Sequence, residues 1–370
     1  MPADTQQTTS GKYRGRDCRS NAGVRGGNPA VAVGPGWLSG PRFDRHFIFT
    51  SAVIAILSGV LVAARPVLFV PVLMLDLWLL GYHHVVSTFT RLCFDRDSFA
   101  RRRWLIVGLL PAVFAAVAVI GATAGIWLLA TIYLYWQWFH YTRQSYGIAQ
   151  AYRRAGGGIG GIDENERLGR AIFYLVPLWG ILHRAHQAPE TFLGQELWHP
   201  PVPAIVVDLV AVLALAGLAW WGIGRLRLWR GRRLPVGHTL YMLNHFAVFY
   251  AGYVAIENID AGWVALNIWH NAQYIAFVWL QNNRRFEGVA VPAAGFLSPL
   301  SQRRNLWAYL VLRIAISTVF YASLQWSAAA LGLGMTALMV VYQTINFHHY
   351  IVDAVIWQRP RRGQPQAGSS

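Results

Sequence analysis

The chain is short of charge, lysine and cysteine, and each shortage excludes a class of protein. Only 13% of its 370 residues are charged, whereas soluble chains average about 25%, so an ordinary soluble enzyme and a disordered chain are both excluded. Cys18 and Cys93 are the two cysteines, too few for a disulfide framework or a thiolate metal site. The sequence also has no phosphate-binding loop, no nucleophile-elbow serine and no HExxH motif.

Apolar residues dominate instead, and they fall in ten runs of about twenty, the length that spans a bilayer. The runs are 46–64, 67–90, 104–122, 126–150, 170–187, 202–224, 239–257, 262–281, 306–328 and 335–357. Uninterrupted apolar character is typical of helices rather than of barrel strands, whose residues alternate. The sequence therefore predicts an all-α fold: a polytopic integral membrane helical bundle of about ten transmembrane helices.

The charge of the chain is +16, and its distribution predicts an orientation. Nearly all basic residues are Arg, with Lys12 the single lysine, and they cluster in alternate connections such as 91–103, 225–233 and 284–304. The connections on the other side, such as 121–125, have no basic residue or only one. Cytoplasmic loops are enriched in Lys and Arg, so we expect both termini in the cytoplasm and no nucleic-acid partner.

Composition also divides the chain into three parts. Residues 1–44 are polar, rich in Gly, Pro and Arg, and without periodicity, which predicts a disordered basic N-terminal tail. Residues 45–358 form the predicted transmembrane domain, and 359–370 form a predicted disordered C-terminal tail.

Histidines and side-chain amides are concentrated inside the predicted spans. Five runs carry them: 81–88, 135–147, 243–249, 267–274 and 344–357. An Asp or Arg at the centre of a span costs roughly 2.5–3.5 kcal/mol to insert, so such groups usually face a protein-lined cavity and mark function. The predicted topology puts all five runs between the midplane and the cytoplasmic face, where their imidazoles can converge in one bundle core. The many Trp and Tyr residues are interpreted as interfacial belts and packing.

Metal binding is the chemistry that this residue set favours. The candidate ligands are His83, His84, His140, His270, His348 and His349. Asp353 follows His349 by four residues and shares its helix face, so we expect it to ligate or to orient an imidazole. Imidazoles with one carboxylate and no thiolate suit iron, copper or zinc. Neighbours on a helix point about 100° apart, so the sequence does not show which histidine of the pairs 83/84 and 348/349 is the ligand. A single histidine in a span can also serve only to hydrogen-bond one helix to another.

Four of these runs resemble the histidine motifs of the Brp/Blh family of bacterial membrane proteins, whose characterised members cleave β-carotene to retinal. GYHH resembles the first motif through His84, FHYTRQS the second through His140, and HNAQY the third through His270. The fourth family motif ends in His followed five residues later by Asp, a spacing that His348 and Asp353 keep.

The chain departs from the family pattern at several positions. Tyr274 stands at the second histidine of the third motif, and Thr88 and Ser145 lie near the positions where the first two motifs have Asp. The resemblance implies non-haem iron held by histidines and oxidative attack on a polyene or another lipid.

These observations predict a histidine-ligated non-haem iron (Fe²⁺) oxygenase, a multi-pass protein of the cell membrane, namely the bacterial inner membrane. Its expected partners are an apolar, carotenoid-like substrate from the bilayer, dioxygen and membrane lipids. Asp353 is a candidate catalytic residue, and Tyr274 or Gln273 is expected to position the oxygen species. Two alternatives stay open: a transporter or channel with an intramembrane His/Asp relay for protons or ions, and a b-type cytochrome with bis-His haem.

Overall fold

The computed structural model describes residues 36–157, 165–288, 291 and 294–356, which are almost entirely helical. In chain order the helices are α1 (Pro41–Ala64), α2 (66–93), α3 (Arg96–Arg102), α4 (Trp104–Thr123), α5 (Ile126–Ala155), α6 (Glu166–Gln187), α7 (Ala204–Arg230), α8 (236–255), α9 (Ile259–Phe286), α10 (Leu297–Leu300), α11 (Arg303–Ala330) and α12 (Met335–Ile356). Between α6 and α7, the two-residue strands β1 (Thr191–Phe192) and β2 (Gln195–Glu196) pair antiparallel. The predicted all-α fold is confirmed.

Each of the ten apolar runs coincides with one long helix of the described chain. Five of these helices, α1, α2, α4, α7 and α11, are long and apolar enough to cross a membrane. The others, α5, α6, α8, α9 and α12, include four of the helices with the buried histidines and amides, and such residues lower mean hydropathy. Five candidate membrane spans indicate a membrane protein.

Helix α9 lies at the centre of the bundle, and the most apolar helices lie around it. Of its 28 residues, 22 are buried, including polar ones such as Asn267 and His270. By contrast, α7 and α11 expose most of their apolar side chains, among them Trp220 and Trp307. Apolar residues at the perimeter and polar residues inside are the arrangement that a bilayer favours.

The first helix begins earlier than the sequence predicts. Pro41 is its first residue, although residues 1–44 were expected to be a disordered tail. The buried Asp44 carboxylate explains the difference, because it accepts the backbone N–H groups of residues 38–40 and the Tyr152 hydroxyl. The other predicted tail residues, 1–35 and 359–370, lie outside the described residues.

A π-helical turn at Leu77–Gly81 sets the rotation of the second half of α2. In a regular α-helix, Asp76 and His84 would point about 80° apart around the axis. One additional residue accommodated in a π turn reduces this angle to about 20°. Both side chains are buried, so the turn aims His84 at the same interior that Asp76 faces.

Candidate metal centre

Four helices that lie far apart in the sequence bring histidines into one buried region. His84 comes from α2, His140 from α5, His270 from α9 and His349 from α12, and all four are buried. Their imidazoles are close neighbours: the ring centroids of His84 and His270 are 4.7 Å apart, and those of His140 and His349 are 5.2 Å apart. The predicted convergence of intramembrane histidines therefore occurs for these four residues.

Three of these histidines and one carboxylate form the tightest group. The ligand atoms of His84, His140, His349 and Asp353 all lie within 4.8 Å of one another. Ligand atoms held at about 2.0–2.2 Å by one cation lie no more than about 4.4 Å apart, so small side-chain movements close this group around an ion. The buried group can hold a metal ion.

One nitrogen atom of the group supports this interpretation. Among the described residues, the buried Nε2 of His140 has no hydrogen-bond partner. Buried polar atoms are nearly always bonded, and each exception needs a physical explanation. A lone pair on an unbonded imidazole nitrogen is a metal ligand, so a bound cation would satisfy the His140 atom directly.

Thr88 joins the carboxylate to the histidine in a hydrogen-bond network. Its hydroxyl donates to Asp353 Oδ1 at 3.0 Å and lies 3.0 Å from His349 Nδ1. The Tyr274 hydroxyl also donates to Asp353 Oδ1, at 2.7 Å, and lies 2.6 Å from Thr88 Oγ1. Because the Thr88 hydroxyl donates its hydrogen bond to Asp353, its oxygen accepts a hydrogen bond from His349 Nδ1–H. The free lone pair of His349 is then on Nε2. The network thus fixes the tautomer that a metal ligand requires.

His270 was also predicted as a ligand, and it lies beside the closest group rather than within it. Its ring stacks on Tyr141 with centroids 3.8 Å apart, and its Nδ1 is 3.2 Å from the side-chain amide of Gln144. The oxygen and nitrogen of an amide are interchangeable by rotation. The Gln144 amide oxygen can therefore accept a hydrogen bond from His270 Nδ1–H, which leaves the other nitrogen of His270 available to the cavity.

The other predicted ligands, His83 and His348, are buried away from the group. His348 Nε2 bonds the Leu105 carbonyl oxygen at 2.7 Å, and its ring stacks on Phe89. His83 belongs to the same turn as His84 and points to another side of α2. Consecutive residues differ by about 100° around a helix, so only one member of each pair faces the group.

Two further polar residues of the predicted spans have structural contacts elsewhere. His245 uses both ring nitrogens, one with Ser145 Oγ and one with the Phe173 carbonyl oxygen, each at 3.0 Å. Gln273 is a predicted positioning residue. Its Oε1 accepts a hydrogen bond from the Tyr241 hydroxyl at 2.7 Å. Tyr274 is the residue of the 273/274 pair that reaches the histidine and carboxylate group.

The sequence interpretation assigned no role to Thr88 or Asp76. Thr88 follows His84 by four residues, and this spacing on one helix face was the signal that could have found it. Asp76 Oδ2 accepts the side-chain amide of Asn267 at 2.5 Å, and Asn267 in turn accepts the hydroxyl of Tyr141. A polar network therefore links Asp76 to the tyrosine that stacks on His270.

A cavity of about 100 Å³ adjoins the group. His84, His270 and His349 line it, together with tyrosines of α2, α11 and α12. The cavity gives a small molecule space directly beside the imidazoles. Comparison with protein-family models, with curated proteins and with solved structures finds no match for this chain.

Proposed function

We propose that the protein is a membrane-embedded, histidine-ligated non-haem iron oxygenase that acts on an apolar polyene or a related lipid. The observation that carries the proposal is the buried His84, His140, His349 and Asp353 group beside a cavity in a bundle with a lipid-type perimeter. Imidazoles with one carboxylate and no thiolate are a donor set typical of non-haem iron sites. His270 lies beside His84 and His140 and adds a fourth imidazole next to the group.

Iron, when bound, would supply the binding and activation of dioxygen. Cleavage of a carbon–carbon double bond by dioxygen forms two carbonyl groups, one oxygen atom entering each, and the double bond supplies all the electrons. No external reductant is needed. The residues of this chain hold the ion, exclude water and fix the proton positions, with Thr88 and Tyr274 keeping Asp353 hydrogen-bonded and oriented.

We also propose that the chain is related to the Brp/Blh family. His84, His140 and His270 occupy the matching motif positions and lie together, which supports it. The fourth motif differs, because His348 keeps the family spacing to Asp353 but bonds Leu105, whereas His349 joins the group.

The membrane topology completes the proposal. We propose that all ten long helices span the membrane, with both termini on the cytoplasmic side of a bacterial inner membrane. Support comes from the coincidence of helices with apolar runs and from the alternation of arginine-rich connections. Single cysteines at Ala124 and Arg103, introduced after removing Cys18 and Cys93, are expected to react with an impermeant maleimide from opposite faces.

The test is metal content followed by product analysis. Protein purified in mild detergent, or reconstituted with Fe²⁺ without oxygen, should hold about one iron per chain. With β-carotene and ¹⁸O₂ it should form carbonyl products that each carry one labelled oxygen when exchange with water is corrected for. Protein that holds no iron after reconstitution would contradict the proposal, and proton-coupled flux in liposomes without metal would instead favour a transporter.

A further inference from the structure

One wall of the cavity is a stack of three tyrosines from three helices. Tyr82 of α2 and Tyr321 of α11 lie ring on ring, with centroids 3.8 Å apart and planes 12° apart. Tyr342 of α12 lies alongside, 5.7 Å from Tyr321 and 6.3 Å from Tyr82. All three line the same cavity as His84 and His349, so we name Tyr82, Tyr321 and Tyr342 the tyrosine stack.

The tyrosine stack separates the cavity from the lipid-facing surface. Tyr321 is 3% exposed, whereas its neighbour Phe320 is 49% exposed on the outer face of α11. Trp78, one turn before Tyr82, is also exposed and bonds Thr318 of α11. Only the rings of the stack and the packing around them therefore lie between the histidines and the bilayer on this side.

The residues that pack around the tyrosine stack form a small apolar cluster. Among the described residues, Tyr321 packs with Val85, Val86 and Ile345 in an apolar cluster separate from the main core. Its polar contacts are few and lie toward the surface: the Tyr82 and Tyr342 hydroxyls are 3.4 Å apart, and the exposed side chain of Gln325 donates to the Tyr342 hydroxyl at 3.0 Å. Regions with few buried apolar contacts open at lower free energy than the core does.

Another part of the cavity lining is held by hydrogen bonds between side chains. Trp263 donates to Gln137 at 2.7 Å, and Gln137 donates to Tyr133 at 2.9 Å. Asn267 donates to Asp76 at 2.5 Å. Opening that part of the lining would leave several buried polar groups unpaired, each costing about 1–3 kcal/mol, so the tyrosine stack is the side that can open.

We propose that the tyrosine stack is the lateral entrance and binding slot through which a flat, conjugated lipid-soluble substrate passes from the bilayer to His84. This inference rests on the proposed function and names its substrate class. A planar chain in contact with a ring on each side needs about 7–8 Å between the rings, so Tyr321 and Tyr342 have to separate by about 2 Å. Aromatic faces favour such offset stacking.

Cavity size supports the same conclusion. Ligand sites usually enclose about 300–1,000 Å³, whereas this cavity encloses about 100 Å³. A long polyene therefore does not fit inside this cavity as it stands. With the stack open, the bond to be cleaved lies at the histidines while both ends of the chain remain along the α2, α11 and α12 seam.

The experiment measures binding of cis-parinaric acid, a fluorescent conjugated tetraene, to iron-loaded protein in nanodiscs under argon. Tyr321→Trp, which fills the slot, and Tyr342→Ala, which removes one ring, should each weaken binding at least tenfold without changing iron content. Tyr321→Phe keeps the ring and should bind within threefold of the parent. Phe320→Trp, the lipid-facing neighbour, is the matched control and should also stay within threefold.

The outcomes separate the entrance from the chemistry. Parent-like binding by both Tyr321→Trp and Tyr342→Ala overturns the entrance, whether or not iron is bound. Binding that responds to these variants in protein that never takes up iron keeps the slot and removes the oxygenase. If one variant does not fold, as judged by its thermal transition, the other decides.

Discussion

The Nε2 atoms of His84 and His349 lie 2.7 Å apart, although the two residues are separated by 265 positions in the chain. Two bare lone pairs repel at this distance, so without a cation one of the two nitrogens carries a proton. Thr88 accepts a hydrogen bond from His349 Nδ1–H, which makes His84 Nε2–H the donor between the two rings. A bound cation would take the place of this proton and would accept the lone pairs of both Nε2 atoms.

Removal of either histidine should weaken metal binding strongly. We expect His84→Ala and His349→Ala to weaken iron or zinc affinity at least a hundredfold, since each removes one imidazole from the group. His348→Ala is the matched control, because His348 bonds a backbone carbonyl and should leave affinity within threefold. Competition with a chromophoric chelator measures this, and equal losses at His348 and His349 would contradict the assignment.

Thr88 should tune the site without ligating the ion. Thr88→Val keeps the shape of the side chain but removes the hydroxyl that bonds Asp353 and His349. Loss of such an outer partner typically costs about 10–100-fold in metal affinity, and we expect a loss in that range. Thr88→Ser restores the hydroxyl and should restore affinity, whereas a loss of equal size in Thr88→Ser would show that packing, not hydrogen bonding, matters here.

Much of the fold could be predicted from local pattern, because bilayer thickness fixes the length of an apolar helix. The run at 262–281 predicted α9, and its His270 and Asn267 predicted a buried polar face. Polar groups in membrane helices face inward. This rule alone was enough to predict, without knowledge of helix packing, that histidines of four helices meet.

The choice of ligand within each pair could not be predicted. It depends on the rotation of each helix, and in α2 the π turn at Leu77–Gly81 sets that rotation. No residue type specifies a π turn reliably. The tyrosine stack was hidden for a related reason: its rings come from three helices, and tyrosines in spans were interpreted as belts and packing.

The crossing of α8 and α9 should tolerate no side chain at Gly262. A Cβ atom there would lie 2.1 Å from the Gly252 carbonyl oxygen and 3.0 Å from Arg184, so the two helices would have to separate. Close helix contacts in membranes depend on such small residues. We expect Gly262→Ala to destabilise the protein by about 1–3 kcal/mol, seen as a lower thermal transition in detergent.

Gly222→Ala is the control for the gain in helix propensity that a Gly→Ala substitution brings by itself. A Cβ atom at Gly222 of α7 meets no described atom within 4 Å, so this variant should be neutral or slightly more stable. Equal effects of the two substitutions would show that the α8–α9 contact is less tight than the geometry indicates.

The connection between α2 and α3 should carry a pH-dependent contact at Asp95. Its Oδ1 accepts the Ser98 backbone N–H at 3.1 Å, and its Oδ2 pairs with Arg285 at the end of α9. Burial acts to raise the pKa of Asp95, but the Ser98 hydrogen bond and the Arg285 guanidinium outweigh it, so the pKa is lowered. A carboxyl whose pKa is lower in the folded than in the unfolded state stabilises the fold above the unfolded value, about 3.9, and loses that contribution as pH falls through the folded value.

Asp95→Asn should therefore lower the thermal transition at pH 7 and at pH 5, with the difference from the parent shrinking at pH 3. Glu287→Gln is the matched control, because its pair with Arg303 spans 3.7 Å between two exposed side chains and such pairs contribute little. Thermal transitions of parent and both variants in one detergent at the three pH values measure this. A difference that is the same at all three values would show that Asp95 acts through its shape as the N-terminal cap of α3 rather than through its charge.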